Sequence, residues 1–254
     1  MKAPGRIAAI IQARMASSRL PDKVVADIAG EPMLMRVVER ASRARLPDQV
    51  VVATTKQEAD DRLAALCQGK GIAYFRGSAG DVLDRYYQAA LTVRADVIVR
   101  LTADCPLLDP QVVDQTIKVF LDASPKVDLV VNRFVDDRTF PIGLDTEVVR
   151  FSALKQAWEK AELPHQREHV LPFIYEHPDQ FSFIHFKADG DFGDYRWTVD
   201  TQEDLEFVRR VYLSFSPRTD FGWKEILALL DRHPELQAIN AHVPHKSASD
   251  FEHL

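Results

Sequence analysis

Cysteine is scarce in this chain. Two occur in 254 residues, Cys67 and Cys105, with no Cys-x-x-Cys spacing. That speaks against a zinc site and for a reducing compartment. No apolar run approaches the roughly 20 residues of a membrane span. The opening MKAPGR is too short, and the apolar run after it too brief, for a signal peptide. Positive charge is not in excess: the formal net charge is -6, which disfavours a general nucleic-acid binder. There is no internal repeat, no low-complexity segment and no GxxxxGK[ST] spacing, so no P-loop. These absences leave a soluble cytoplasmic protein without membrane or nucleic-acid partners, in which any anion site must be local.

What is present fits a folded enzyme. Hydrophobic residues make up 46% and charged residues 28%, enough for one large core. Residues 7–11 read as a short strand, apolar on both faces, as buried parallel strands are. Residues 24–28 lead into the turn Ala29-Gly30-Glu31-Pro32. Helices follow at 33–45, 58–69, 82–93 and 110–121, alternating with strands at 49–54, 72–75, 95–101 and 127–131. In the first helix Leu34, Val37, Val38 and Ala41 share one face. Asp81 is a candidate cap for the helix that begins at Val82. This alternation predicts an α/β fold, a doubly wound and mostly parallel sheet with helices on both faces.

The pattern then changes. Residues 132–147 show little periodicity. Beyond them the sequence predicts helices at 151–161 and at 166–176 (interrupted by Pro172), and a strand at 181–186. A strand end at 196–200, helices at 203–213 and 224–230, and a loose tail from Asn240 complete the reading. One domain over 1–240 is expected, with a nucleotide half (1–131), an acceptor and metal-completing half (132–213), and a flexible tail over 241–254.

Four places carry chemistry. The first is the loop after the first strand, with Ala13, Arg14, Ser17, Arg19 and Lys23 in QARMASSRLPDK. Cations and hydroxyls at the carboxyl edge of a sheet suit a triphosphate. Taken alone the loop fits an ordinary solvated loop equally well. The second is Asp104, just past an apolar strand, placed either to ligate Mg²⁺ or to close a turn. Arg100, inside that strand, needs an acid partner. The third is Asp200. Thr201 and Asp204 read as a capping box, while Asp200 is left to share a hard cation with Asp104. The fourth is Arg138, Asp145, Glu147, Arg167, Glu168 and His169, either an acceptor pocket for an acidic substrate or a solvated face. His169 alone reads as a structural histidine.

Assembled, these residues resemble the sugar-acid cytidylyltransferases, in the branch named for spore-coat polysaccharide biosynthesis. The loop looks like that family's (I/Q)-A-R-x-x-S-x-R-L-P-x-K signature. DIAGEPML, VVVAT, RGSAGDVLDRY, RLTADCPLLDP, FPIGLDTEV, REHV and RWTVDTQEDLE follow in order, spanning residue 7 to about residue 213. CMP-KDO and CMP-sialic acid synthetases are similar in the first half and at VDTQEDLE. The resemblance implies a Rossmann-like nucleotidyltransferase fold with a small substrate or dimerisation extension, and a homodimer. It implies phosphate binding at Arg14 and Lys23, with Ser17 and Arg19 nearby. It implies Mg²⁺ on Asp104 and Asp200, and cytosine reading by Arg76, Gly77, Ser78 and Asp81. Where the KDO enzymes have Gly-Asp-Glu-Pro, this chain has Ala103-Asp104-Cys105-Pro106, so the acceptor-side neighbours differ.

The expected reaction is transfer of CMP from CTP to an acidic sugar, with loss of pyrophosphate. Arg14, Lys23, Asp104 and Asp200 would be its catalytic set. Two other readings stand beside it. One is a glycosyltransferase, for which Val135-Asp136-Asp137 is a poor DxD-type metal motif. The other is a non-catalytic nucleotide-sugar-binding protein.

Overall fold

The apolar run after Arg6 forms β1 (Ile7–Gln12), and its alternate residues enter two different cores. Ile7, Ala9 and Ile11 face one layer of helices, while Ala8 and Ile10 face the other. That is the demand a central parallel strand makes on its sequence. The computed structural model describes residues 5–134 and 137–244.

A 3-10 turn at Lys23–Val25 follows the basic loop, and β2 (Asp27–Ile28) and β3 (Glu31–Pro32) form a small hairpin in place of a simple turn. Pro32 then precedes α1 (Met33–Ala41), which buries Leu34, Val37, Val38 and Ala41 as its periodicity predicts. It ends at Ser42, short of Pro47. The alternation continues through β4 (Gln49–Thr55), α2 (Asp61–Gly69), β5 (Tyr74–Gly77), α3 (Val82–Thr92), β6 (Val97–Thr102), α4 (Pro110–Asp122) and β7 (Leu129–Val131). The carboxylate of Asp81 accepts the Asp84 backbone N–H at 2.8 Å and caps α3 as expected.

The second half joins the same sheet. A strand that hydrophobic periodicity did not reveal, β8 (Glu147–Arg150), enters between β6 and β7, antiparallel to both. It leads into α5 (Phe151–Lys160), α6 (Pro164–His169), α7 (Pro172–Tyr175) and β9 (Phe183–His185), and β9 pairs with β7. The seven strands run β5-β4-β1-β6-β8-β7-β9, so β6 is the central one. Register places Arg100 of β6 directly across from Glu147. Their ion pair supplies the acid that a buried arginine requires.

Residues 196–200 are not a strand end. They make one isolated bridge, Arg196 to Ile142, and then bend at Thr198 and Asp200. The ladder stops because the next backbone groups go elsewhere: Val199 N–H donates to Asp104 O at 2.8 Å, and Asp200 N–H to the Asp204 carboxylate at 2.9 Å. The close approach also needs Gly143. Its φ is +107°, and a Cβ there would lie 2.7 Å from the Trp197 carbonyl carbon.

The chain closes with α8 (Gln202–Phe215), α9 (Trp223–Arg232) and α10 (Pro234–Ala238), the last unforeseen. Thr201 and Asp204 form the predicted capping box. Asp204 does more. Fully buried, it accepts both Arg196 Nε and Nη2 at 2.9 Å and Asn240 Nδ2 at 2.9 Å. Asn240, expected to begin a loose tail, is therefore a buried tie, and Val243 is buried after it. No helix among the described residues is long and apolar enough to cross a membrane.

Two outcomes follow. Gly143→Ala should lower the melting temperature by several degrees, through a disfavoured φ and a backbone clash. Asp204→Ala removes the bidentate partner of Arg196, leaving it Asp200 alone, and should cost about 3–5 kcal/mol in urea unfolding. Burial raises the Asp204 pKa, but the bonds from Arg196 and Asn240 outweigh it and hold the carboxyl below its ordinary value. Its contribution should thus be complete above the range where unfolded aspartates ionise, about pH 4, and be lost as pH falls through and below it.

Candidate active site

The basic loop leaves the carboxyl end of β1 and is tied down at once. Met15 N–H donates to Asp60 Oδ1 at 2.7 Å, and the other Asp60 oxygen takes the Thr55 hydroxyl at the end of β4. The loop then turns inward at Lys23. Its ammonium donates to Val199 O at 2.7 Å, to Asp200 Oδ1 at 2.9 Å and to Asp104 Oδ2 at 3.2 Å. Asp104 follows β6. Asp200 is held beside it because Val199 N–H and the Thr198 hydroxyl both donate to Asp104 O, at 2.8 and 3.1 Å. The two aspartates singled out from the sequence are brought together, and the cation between them is a lysine.

Asp200 also takes Arg19 at 2.8 Å and Arg196 at 3.0 Å. Burial pushes its pKa up, but Lys23, Arg19 and Arg196 pull it down to about 2. Burial lowers the Lys23 pKa, and Asp104 and Asp200 more than reverse this, raising it above its ordinary value. At neutral pH the site therefore holds charged groups on both sides.

These groups line an open cleft of about 1180 Å³ along the carboxyl edge of the sheet. Arg14, Ser17, Ser18 and Arg19 line it from the basic loop, and Asp104, Cys105, Thr198 and Asp200 from the segments after β6 and before α8. Of the expected acceptor residues, Arg138, Asp145, Glu168 and His169 line it as well. Glu147 does not. Only 2% exposed, it is taken by Arg100 and by Tyr175 Oη at 2.7 Å. Arg167 does not either, since its Nε donates to Asp81 Oδ2 at 2.9 Å and its Nη1 to Trp158 O at 2.7 Å. Of the Val135-Asp136-Asp137 sequence, Val135 and Asp136 lie outside the described residues.

The segment expected to read cytosine is built differently from its sequence impression. Arg76 is the last but one residue of β5, and its guanidinium donates to Thr55 O and Gln57 O, both at 2.9 Å, and pairs with Asp61 at 2.6 Å. Asp81 is the cap of α3 and the partner of Arg167. Ser78 Oγ accepts the Asp81 N–H at 3.1 Å. None of Arg76, Gly77, Ser78 and Asp81 lines the cleft; Val82 and Arg85 of α3 do.

Sequence reasoning passed over several lining residues: Arg85, Arg133, Thr198 and Arg196. Arg196 had a signal, as a charge beside the apolar Trp197. Arg133 had none, lying in the aperiodic stretch. It forms ion pairs with Asp145 at 3.6 Å and Glu147 at 3.7 Å, both longer than close hydrogen bonds.

Comparison with known proteins bears on this geometry. The family model described as cytidylyltransferase matches residues 8–228. The spore coat polysaccharide biosynthesis protein SpsF of Bacillus subtilis is 34% identical over 89% of this chain and 94% of its own. A 3-deoxy-manno-octulosonate cytidylyltransferase of Geobacter sulfurreducens is 42% identical, over 44% of each chain. Among solved structures, a cytidylyltransferase from Leptospira borgpetersenii superposes with a TM-score of 0.88 at 33% identity, covering 95% of this chain and 100% of that one. A match spanning both halves of the sheet, with Asp104 and Asp200 inside it, shows that this chain belongs to the cytidylyltransferase family of CTP-dependent nucleotidyltransferases.

Proposed function

We propose that the protein transfers CMP from CTP to an acidic sugar of the nonulosonic or KDO-like class, releasing pyrophosphate, for surface polysaccharide synthesis. The observation that carries this reading is the convergence of Asp104 and Asp200 on one cation, Lys23, at the foot of a basic loop. It is supported by the names of the relatives and by arginines at the end of the cleft away from that loop. The working unit in this reading is a cytoplasmic homodimer.

The donor set suits a hard divalent ion. Mg²⁺ is commonly held by one or two carboxylates, with phosphate oxygens and waters completing its shell. Among the described residues no group of three or more His, Cys, Asp or Glu could hold an ion by itself, so Asp104 and Asp200 would do so together with the nucleotide. Bound there, the ion would neutralise charge on the α-phosphate and the leaving group.

The chain's own residues do the rest. Arg14, Ser17 and Arg19 bind the outer phosphates through charge-assisted hydrogen bonds. Lys23 stays charged between the carboxylates and keeps them at one point until the nucleotide arrives. Arg133 and Arg138, with His169 opposite, orient the acceptor carboxylate. The acceptor hydroxyl then attacks the α-phosphorus as the bond to the β-phosphate oxygen breaks.

The deciding assay is pyrophosphate release from each NTP with Mg²⁺, against a panel of acidic sugars. Release should require CTP and a sugar acid together. Transfer from a nucleotide sugar without pyrophosphate would instead make the protein a glycosyltransferase and sink the proposal. Asp104→Asn should lower kcat/KM by at least about 100-fold, the scale for losing charge stabilisation at a reacting centre. A folded Asp104→Asn protein with unchanged turnover would remove Asp104 from the metal site.

A further inference from the structure

Among the described residues, Arg85 is the buried cation whose donors are least used. It is 1% exposed, yet it lines the cleft beside Val82. One nitrogen, Nη1, donates to Ser78 O at 2.7 Å. Its Nε is buried and has no hydrogen-bond partner. Among the described residues no carboxylate pairs with it. Burial and the nearby Arg14 both work against its charge, with Tyr86, Asp60 and Asp81 in partial opposition. A guanidinium carries five donors in a planar fork, and buried donors in native proteins are nearly always used. The fork is thus set for acceptors that a ligand brings.

Its place in the sheet says which part of a nucleotide supplies them. The reacting centre lies where β1 and β6 adjoin, between Lys23 and the two aspartates. From there the cleft extends two ways. Toward β8 it reaches Arg133 and Arg138, the acceptor end. Toward β4 and β5 it reaches the first turns of α3, which Ser78 ties to the end of β5. Val82 and Arg85, one helical turn apart on the same face, form that wall: an apolar surface next to a flat donor fork.

We infer that Arg85 reads the pyrimidine edge of the bound nucleotide, donating to O2 and N3 of cytosine and thereby setting CTP apart from UTP. Cytosine offers two adjacent acceptors there, O2 and a bare N3. Uracil keeps O2 but carries a hydrogen on N3, which would face a guanidinium hydrogen. Gly77 makes the arrangement possible. A Cβ at that position would lie 2.9 Å from Arg85 Cγ and 2.8 Å from the Phe75 ring. The glycine of RGSAGD thus serves recognition from behind, by leaving room for the arginine stem.

The inference rests on the proposed CTP site and is independent of the acceptor. It is tested by calorimetric titration of the full chain with Mg²⁺ and CTP, UTP, 3-deaza-CTP or pyrophosphate, with no sugar present. The wild-type protein should bind CTP more tightly than UTP and than 3-deaza-CTP, which lacks the N3 acceptor, by on the order of 10–100-fold. Arg85→Lys and Arg85→Gln should level these ratios to within about threefold while leaving pyrophosphate binding unchanged. Gly77→Ala should move them the same way. Equal wild-type binding of CTP and 3-deaza-CTP overturns the inference without any variant. So does a uniform loss for CTP, UTP and pyrophosphate, which would place Arg85 on phosphate. A CTP preference that survives in a folded Arg85 variant also overturns it. Base selection that holds while no sugar acid is turned over would refute the proposed acceptor and leave Arg85 in place.

Discussion

Two ionised carboxylates repel each other at a partly buried point unless a cation lies between them, and much of this structure follows from that constraint. Lys23 lies 81 positions before Asp104 and 177 before Asp200, yet its ammonium touches both. The contact joins the loop after β1, the end of β6 and the segment before α8. Arg19 and Arg196 add charge on the Asp200 side, so positive groups surround that carboxylate more closely than Asp104. A site built this way is charged before any ligand enters. Lys23, Arg19 and Arg196 hold the Asp200 pKa down to about 2, and Asp104 and Asp200 in turn hold the Lys23 pKa above its ordinary value.

Holding the contact in place takes a second set of devices. The segment carrying Asp200 has no ladder to fix it, so it borrows rigidity from three directions. Gly143 lets one backbone approach Trp197 closely; the Asp104 carbonyl collects donors from Val199 and Thr198; Asp204 gathers Arg196, Asn240 and two backbone N–H groups. The antiparallel β8 serves the same end one strand further on. By setting Glu147 opposite Arg100, it makes the central strand tolerate a buried charge at the edge of the cleft. In a buried position, breaking such a pair costs more than forming it gains, which favours a single arrangement over several.

Much of this was legible in the sequence. The parallel half could be read because its strands are apolar on both faces and its helices carry a clear 3.6-residue stripe. Asp104 and the loop from Arg14 to Lys23 stood out because polar groups directly follow apolar strands. The need of Arg100 for an acid was also visible, though not which acid. The rest was hidden for physical reasons. Strand β8 is four residues long, starts on a charge and ends on one, so period two had nothing to detect. Residues 196–200 looked like a strand because Trp197 and Val199 are apolar, while their backbone partners lie in loops far away in sequence. The charges of residues 76–81 are engaged by the fold, Arg76 on two carbonyls and Asp61, Asp81 on the helix end it was expected to cap and on Arg167.

Such engagement separates structural from functional charge in this protein better than exposure does. Arg40, Arg100 and Arg196 are all buried, and each is anchored on several carbonyls or a carboxylate of the chain, although Arg100 Nε has no hydrogen-bond partner. Arg40 joins α1 to the segment before α9, Arg100 joins β6 to β8, and Arg196 fixes the turn into α8. Removing any of them should first be felt as lost stability. Arg133 and Arg85 differ in kind. Arg133 reaches its two acids only through ion pairs of 3.6 and 3.7 Å, and Arg85 has one carbonyl for a whole guanidinium. They also lie on opposite sides of the Lys23 contact, one toward β8 and one toward β5. A nucleotide and its acceptor must approach a single phosphorus from different directions. A sheet edge with one under-used arginine on each side of a shared charged centre is the arrangement that this geometry calls for.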